Sequence, residues 1–201
     1  MQRTEVPHPV DALVLSKIPP PTVERARNIR LMVFDVDGVL TDGRLWYGET
    51  GEQLKCFHVL DGHGLRLLGE SGITVALMTG REGPILARRA AELAIPLLQQ
   101  GVRDKAGALA RLVAERGLSM AEVGYMGDDI IDLTAMQKAG LAVSVPDAPS
   151  YVAQAAHFIT TRQGGAGAVR ECCDLILAAQ GKLGQFLQPG TPLLRMGGEL
   201  Q

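Results

Sequence analysis

The sequence predicts an α/β domain with a doubly wound, mainly parallel sheet of Rossmann-like type and a β-hairpin flap. Three observations carry that prediction. Short unbroken apolar runs recur along the chain, segments of helical periodicity separate them, and acidic, hydroxyl and basic residues fall where the runs end. Runs of four or five apolar residues suit strands covered on both faces, and alternation of strand and helix suits parallel pairing.

The elements follow in order. Residues 1–29 read as an N-terminal extension in which "IPPP" is a stiff, extended lead-in. A single domain then spans 30–187. "LMVF" at 31–34 is its first strand, running straight into Asp35 and Asp37. "RLWYGETGEQLKCFHV" carries aromatic residues on both sides of a Gly-Glu-Thr-Gly turn and reads as a β-hairpin, the flap at about 43–59. Strands are expected near 73–78, 123–126, 141–145 and 157–160, with a weakly signalled one at 95–98. "PILARRAAELA" places Ile85, Leu86, Ala90 and Leu93 on one stripe, with Arg88 and Arg89 turned away as a solvated face. "KAGALARLVAERG" repeats the scheme and stops at Gly117. "MQKAG" and "LAAQGKLG" close helices in the same manner. The tail at 188–201, rich in glycine and proline, reads as flexible.

Composition narrows the function classes. A chain of 201 residues with 46% hydrophobic and 21% charged residues is ordinary for one globular domain. A formal net charge of -2 without a basic block argues against a nucleic-acid partner. No apolar run reaches the length of a membrane span, and the first thirty residues lack a signal-peptide pattern. Three cysteines, two of them adjacent at Cys172 and Cys173, make no disulfide framework and suit a reducing cytoplasm.

The polar residues carry the chemistry. In a doubly wound sheet, ligands gather at the carboxyl ends of the strands. Asp35 and Asp37 follow the first strand, Thr79 ends the second, Asp128 and Asp129 end the strand at 123–126, and Lys105 opens the helix between them. Two carboxylates facing one point repel unless a cation lies between them. Asp35, Asp37 and Asp128 form a hard-oxygen set suited to Mg²⁺, which takes few protein ligands. An ionised Asp35 can attack phosphorus, Asp37 can act as general acid and base, and Thr79 and Lys105 can stabilise charge on the transferring oxygens.

"DVDGVLTDG", "MTGR", Lys105 and "GDDIID", in that order, resemble the four motifs of the haloacid dehalogenase superfamily of phosphohydrolases. From about residue 30 to 184, through "DGHGLRLL" and "GGAGAVRECCDLILAAQGKL", the chain is similar to that superfamily's cap-less sugar-acid phosphatases. The resemblance implies Mg²⁺-dependent hydrolysis of a phosphorylated eight-carbon sugar acid, 3-deoxy-D-manno-octulosonate 8-phosphate, in lipopolysaccharide inner-core biosynthesis. It implies metal ligation by Asp35, the Asp37 backbone carbonyl and Asp128. It implies a cytoplasmic homotetramer without a large cap domain, in which hairpins associate and the glycine-rich C-terminal segment reaches a neighbouring site. It also implies Arg81 as the first candidate for the substrate carboxylate, with Arg170 a second. Asp61 and Gly62 are further candidate substrate contacts. Asp132 is expected behind the metal ligands or capping its helix, and Asp129 to hold a metal-bound water or orient Lys105.

Other readings compete. A calcium loop starting at Asp35 fails, because Val39 and Trp46 fall where an EF-hand needs oxygen ligands. His58, Asp61 and His63 are read as structural rather than a second metal cluster, and Lys55 as a hairpin surface residue. A phosphorelay receiver also combines acids, threonine and lysine, but its acidic pair comes first and its phosphorylated aspartate later. The order here favours a hydrolase. A nine-carbon sugar-acid 9-phosphate phosphatase and a broad-specificity phosphatase would share the same catalytic residues.

Overall fold

The computed structural model describes residues 8–187. Its centre is a six-stranded, wholly parallel sheet made of β1 (Leu31–Phe34), β4 (Thr74–Met78), β5 (Leu97–Gln99), β6 (Val123–Met126), β7 (Leu141–Ser144) and β8 (Phe158–Ile159), in the order β5-β4-β1-β6-β7-β8. The chain winds outward from β1 to one side, returns, and winds outward to the other. This is the doubly wound sheet expected from the alternation. β2 (Trp46–Gly48) and β3 (Gly51–Leu54) form the hairpin as a separate antiparallel pair.

Side-chain alternation along β1 explains why four apolar residues stand in a row. Met32 and Phe34 join one core with Leu65, Leu77 and Ile176, while Leu31 and Val33 join another with Leu109, Tyr125 and Met136. Helices α3 (Val59–Glu70) and α8 (Ala168–Ala179) cover the first face, and α5 (Lys105–Glu115) and α6 (Ile130–Lys138) the second. α4 (Pro84–Glu92) buries Leu86 and Ala90, the stripe read from its periodicity. A short α7 (Ser150–Ala153) links β7 to β8.

The N-terminal lead-in departs from expectation. Residues 9–27 hold α1 (Pro9–Leu15) and α2 (Pro20–Arg27), both packed on α8. The prolines read as an extended run instead start α2, since Pro20 takes the first helical position, where a missing N–H is harmless. Val23 and Ala26 are buried in the first core. The tail expected to be flexible, 188–201, lies outside the described residues.

Candidate active site

The carboxyl ends of the three central strands supply the site. Asp35 directly follows β1, and its N–H donates to Met126 O, which extends the β1–β6 ladder by one residue. That bond aims the buried Asp35 carboxylate along the seam between β1 and β6. Lys105, the first residue of α5, is held there by its N-cap Asp104, which accepts from Gly107 N at 2.8 Å. The fully buried Lys105 side chain donates from Nζ to Asp35 Oδ1 and to Asp132 Oδ1, both at 2.6 Å. A lysine in such a place stays charged because two carboxylates offset its desolvation. Its pKa lies above the ordinary lysine value.

Asp132 is saturated. It also accepts from the Tyr125 hydroxyl at 2.7 Å and from Asp129 N, closing a capping box at the start of α6. Orientation of Lys105 therefore falls to Asp132. Asp129, one of two roles for which was to orient that lysine, is exposed and serves as the N-cap of α6.

Oxygens of Asp35, Asp128 and Asp132 lie within 4.8 Å of one another. Asp132 accepts from three donors, whereas Lys105 engages Asp35 through Oδ1 alone, so Asp35 and Asp128 are the carboxylates with an oxygen left for a cation. Asp128 Oδ1 is buried without a hydrogen-bond partner. Burial first, and then the charge of Asp132, pushes the Asp35 carboxyl up to about 8 and the Asp128 carboxyl up to about 7. Two buried carboxyls that resist ionisation beside an orphaned oxygen fit a hard divalent cation such as Mg²⁺. Gly38, with φ +93°, permits the arrangement: a Cβ there would meet Asp128 Oδ2 at 2.0 Å.

Thr79, buried at the end of β4, accepts from Arg81 N at 3.1 Å. Asp37 is half-buried at the mouth and meets side chains from the hairpin. Its Oδ1 accepts from Lys55 Nζ, and Lys55 Nζ also pairs with Glu52 Oε1 at 2.9 Å. Arg81 stands 3.8 Å from both Asp37 Oδ2 and Glu52 Oε2. It also donates to the Tyr47 hydroxyl and lies over that ring at 5.7 Å. Lys55 is thus no surface residue, since only 6% of its side chain is exposed. The sequence reading placed it on the surface of the hairpin. That reading failed because the flap folds back over the site, and only the adjoining Phe57 and the neighbouring acid Glu52 hinted at it.

Asp61, Gly62 and Arg170, the other substrate candidates, each have a structural partner. Asp61 is fully buried and accepts from Gly167 N and Arg170 N at 3.2 and 2.8 Å, so it anchors the start of α8. Gly62 makes room for Arg89, whose Nη2 a Cβ would meet at 2.4 Å. Arg170 pairs with Asp174 at 2.7 Å. Arg89, read as part of a solvated face, packs over Phe57 at 5.8 Å and is only 26% exposed. Among the described residues, the histidines near Asp61 join no metal-ligating cluster; His58 caps α3.

A family model of haloacid dehalogenase-like hydrolases matches residues 89–170. Over 161 residues the chain is 48% identical to the 3-deoxy-D-manno-octulosonate 8-phosphate phosphatase of Yersinia pestis, covering 80% of this chain and 86% of the relative. It belongs to that phosphatase family. The family's enzyme from Escherichia coli K12 is 46% identical, over 80% of this chain and 86% of its own length. A crystal structure of the family's Moraxella catarrhalis phosphatase, in complex with magnesium, phosphate and KDO, superposes with a TM-score of 0.81. The two are 42% identical over 83% of this chain and 95% of that one. A cobalt-bound structure of the Haemophilus influenzae phosphatase gives 0.79 at 42% identity, over 82% and 96%. No helix of the described residues in this family member is long and apolar enough to cross a membrane.

Proposed function

We propose that this chain is a Mg²⁺-dependent phosphatase that releases phosphate from 3-deoxy-D-manno-octulosonate 8-phosphate. The observation that carries the reading is the convergence of Asp35, Asp37, Thr79, Lys105 and Asp128 at one sheet edge, within a chain whose relatives bear that enzyme's name. Asp35 and Asp128, with the Asp37 backbone carbonyl, hold the cation, which when bound neutralises the carboxylates and polarises the phosphoryl oxygens.

Asp35 attacks phosphorus. The new O–P bond forms as the bond to the sugar oxygen breaks, and Asp37 gives its proton to that departing oxygen. In the second half, Asp37 takes a proton from water as the water oxygen joins phosphorus and the Asp35–phosphorus bond breaks. Lys105 and the Thr79 hydroxyl stabilise charge on the phosphoryl group. Arg81, whose side chain is exposed by a third and whose Nε makes no hydrogen bond, receives the sugar-acid carboxylate in a charge-assisted contact. The enzyme works in the cytoplasm as a homotetramer that associates through the hairpins, supplying the lipopolysaccharide inner core.

A phosphate-release assay over eight-carbon and nine-carbon sugar-acid phosphates and simple sugar phosphates, with and without chelator, tests this. The eight-carbon acid should lead by a wide margin and chelation should stop turnover. Comparable rates across the panel would replace the reading with a broad-specificity phosphatase.

A further inference from the structure

We propose that Lys55 is a positioning residue for Asp37, and that by occupying one carboxylate oxygen it fixes the other as the oxygen that exchanges the proton. The inference rests on the phosphatase reading above.

The geometry begins with a closed ring of alternating charges. Lys55 bonds Asp37 Oδ1 and pairs with Glu52 at 2.9 Å; Arg81 approaches Glu52 and Asp37 Oδ2, each at 3.8 Å. The ring's two cations are held differently. Lys55 is enclosed and makes short contacts to both of its partners, so it has little left to offer a substrate. Arg81 is exposed by a third, makes only long contacts within the ring, and its buried Nε lacks a hydrogen-bond partner. The arrangement divides the work: Lys55 holds the acid–base group, and Arg81 waits for an anion.

A carboxyl that delivers a proton must present one oxygen to the leaving group at hydrogen-bond distance. Asp37 sits on a loop rather than a strand, so the strand geometry that aims Asp35 does not aim it. Lys55, from the residue after β3, supplies that missing restraint. With Oδ1 taken by a cationic donor, Oδ2, the oxygen on the Arg81 side, is the one left to meet the leaving group. The hairpin therefore contributes to chemistry as well as to enclosure.

Leaving-group dependence tests the idea. An alkyl phosphate needs its departing oxygen protonated, whereas p-nitrophenyl phosphate releases a stable phenolate and needs little help. Lys55→Met should lower kcat/KM for alkyl phosphates about 10²-fold, the usual weight of general-acid catalysis, and change the aryl phosphate little. Lys55→Arg, which keeps a cationic donor, should recover part of the alkyl rate. Equal losses in kcat/KM on aryl and alkyl substrates would overturn the proposal, as a purely structural role behaves that way; kcat alone does not serve, since the water step on Asp37 is shared by both substrates. A loss confined to carboxylate-bearing substrates and expressed in KM would also overturn it, making Lys55 a substrate ligand. Should Lys55→Met fail to fold, Glu52→Gln loosens the same lysine, and the alkyl-selective loss should persist at smaller size; its absence would count against the proposal. Wild-type enzyme that turns over simple alkyl and aryl phosphates but not the sugar acid would defeat the substrate assignment while leaving this comparison intact.

Discussion

Asp35 and Arg81 mark the two ends of the site's chemistry, and their surroundings differ in kind. Asp35 is buried, fixed by its backbone bond to Met126 and by Lys105, and surrounded by other acids. Asp35→Asn keeps the shape and the hydrogen-bond acceptor but removes the nucleophilic oxygen. Turnover should fall by at least ~10³-fold while the circular-dichroism spectrum stays that of wild type; retained activity would reassign the nucleophile. Arg81 instead stands at the mouth against the Tyr47 ring. A hydrogen bond to a charged group contributes about 1.5–3 kcal/mol, so Arg81→Ala should raise KM for the sugar-acid phosphate by roughly 10- to 100-fold. An aryl phosphate, lacking the carboxylate, should be nearly unaffected. Equal losses on both would remove Arg81 from the specificity role. The positions of Asp35, Thr79 and Asp128 were legible in the sequence because a carboxyl-end position follows directly from where a buried strand stops, and that of Lys105 because a helical pattern starts there. Lys55 was not, because its role depends on how a hairpin folds against a distant loop.

At the level of elements, the strands were readable to within a residue or two, since burial on both faces leaves an unbroken apolar run. The N-terminal helices were missed for the opposite reason. α2 owes its place to packing on α8, and its polar sequence gives little periodicity to read. The α3–α8 contact also gives Asp61, a candidate substrate contact, a place in the packing. Gly64, where a Cβ would meet Arg170 and Cys173 at 3.0–3.2 Å, lets the helices approach, while Asp61 ties α3 to the backbone of the α8 start. Asp61→Asn leaves one of two buried N–H donors without an acceptor, a loss of about 1–3 kcal/mol. Burial holds the Asp61 carboxyl above its ordinary 3.8, although the Arg170 and Gly167 N–H groups pull the other way. A carboxyl whose folded pKa is raised keeps its proton more tightly when folded. Its contribution to stability is complete below pH 3.8 and is lost as pH rises through the folded value. Asn does not titrate, so the deficit of Asp61→Asn against wild type should be greatest in acid and shrink above pH ~4. Urea melts across that range check this; a constant deficit would show that the Asp61 carboxyl is not raised.

Across the whole molecule, doubly wound topology brings distant segments to one point and leaves like charges there. β1 and β6 are neighbours in the sheet though far apart in sequence, and their adjacency puts Asp35 beside Asp128. The chain thereby carries a local electrostatic penalty at its centre, which Lys105 offsets only in part, as the raised Asp35 and Asp128 carboxyls show. A ligand that binds the folded chain and not the unfolded one stabilises by RT ln(1 + [L]/Kd), about 2.7 kcal/mol at a hundredfold excess over Kd. For a domain of this size each kcal/mol moves Tm by about 2–4 °C. Saturating Mg²⁺ should therefore raise the melting temperature by roughly 5–10 °C, and chelator should reverse the gain. Asp128→Asn removes one of the two carboxylates that need the ion and relieves their repulsion. That variant should melt no lower than wild type in chelator, yet respond only weakly to Mg²⁺. An undiminished Mg²⁺ increment in Asp128→Asn would mean that the cation binds elsewhere, and the seam between β1 and β6 would lose its place as the metal site.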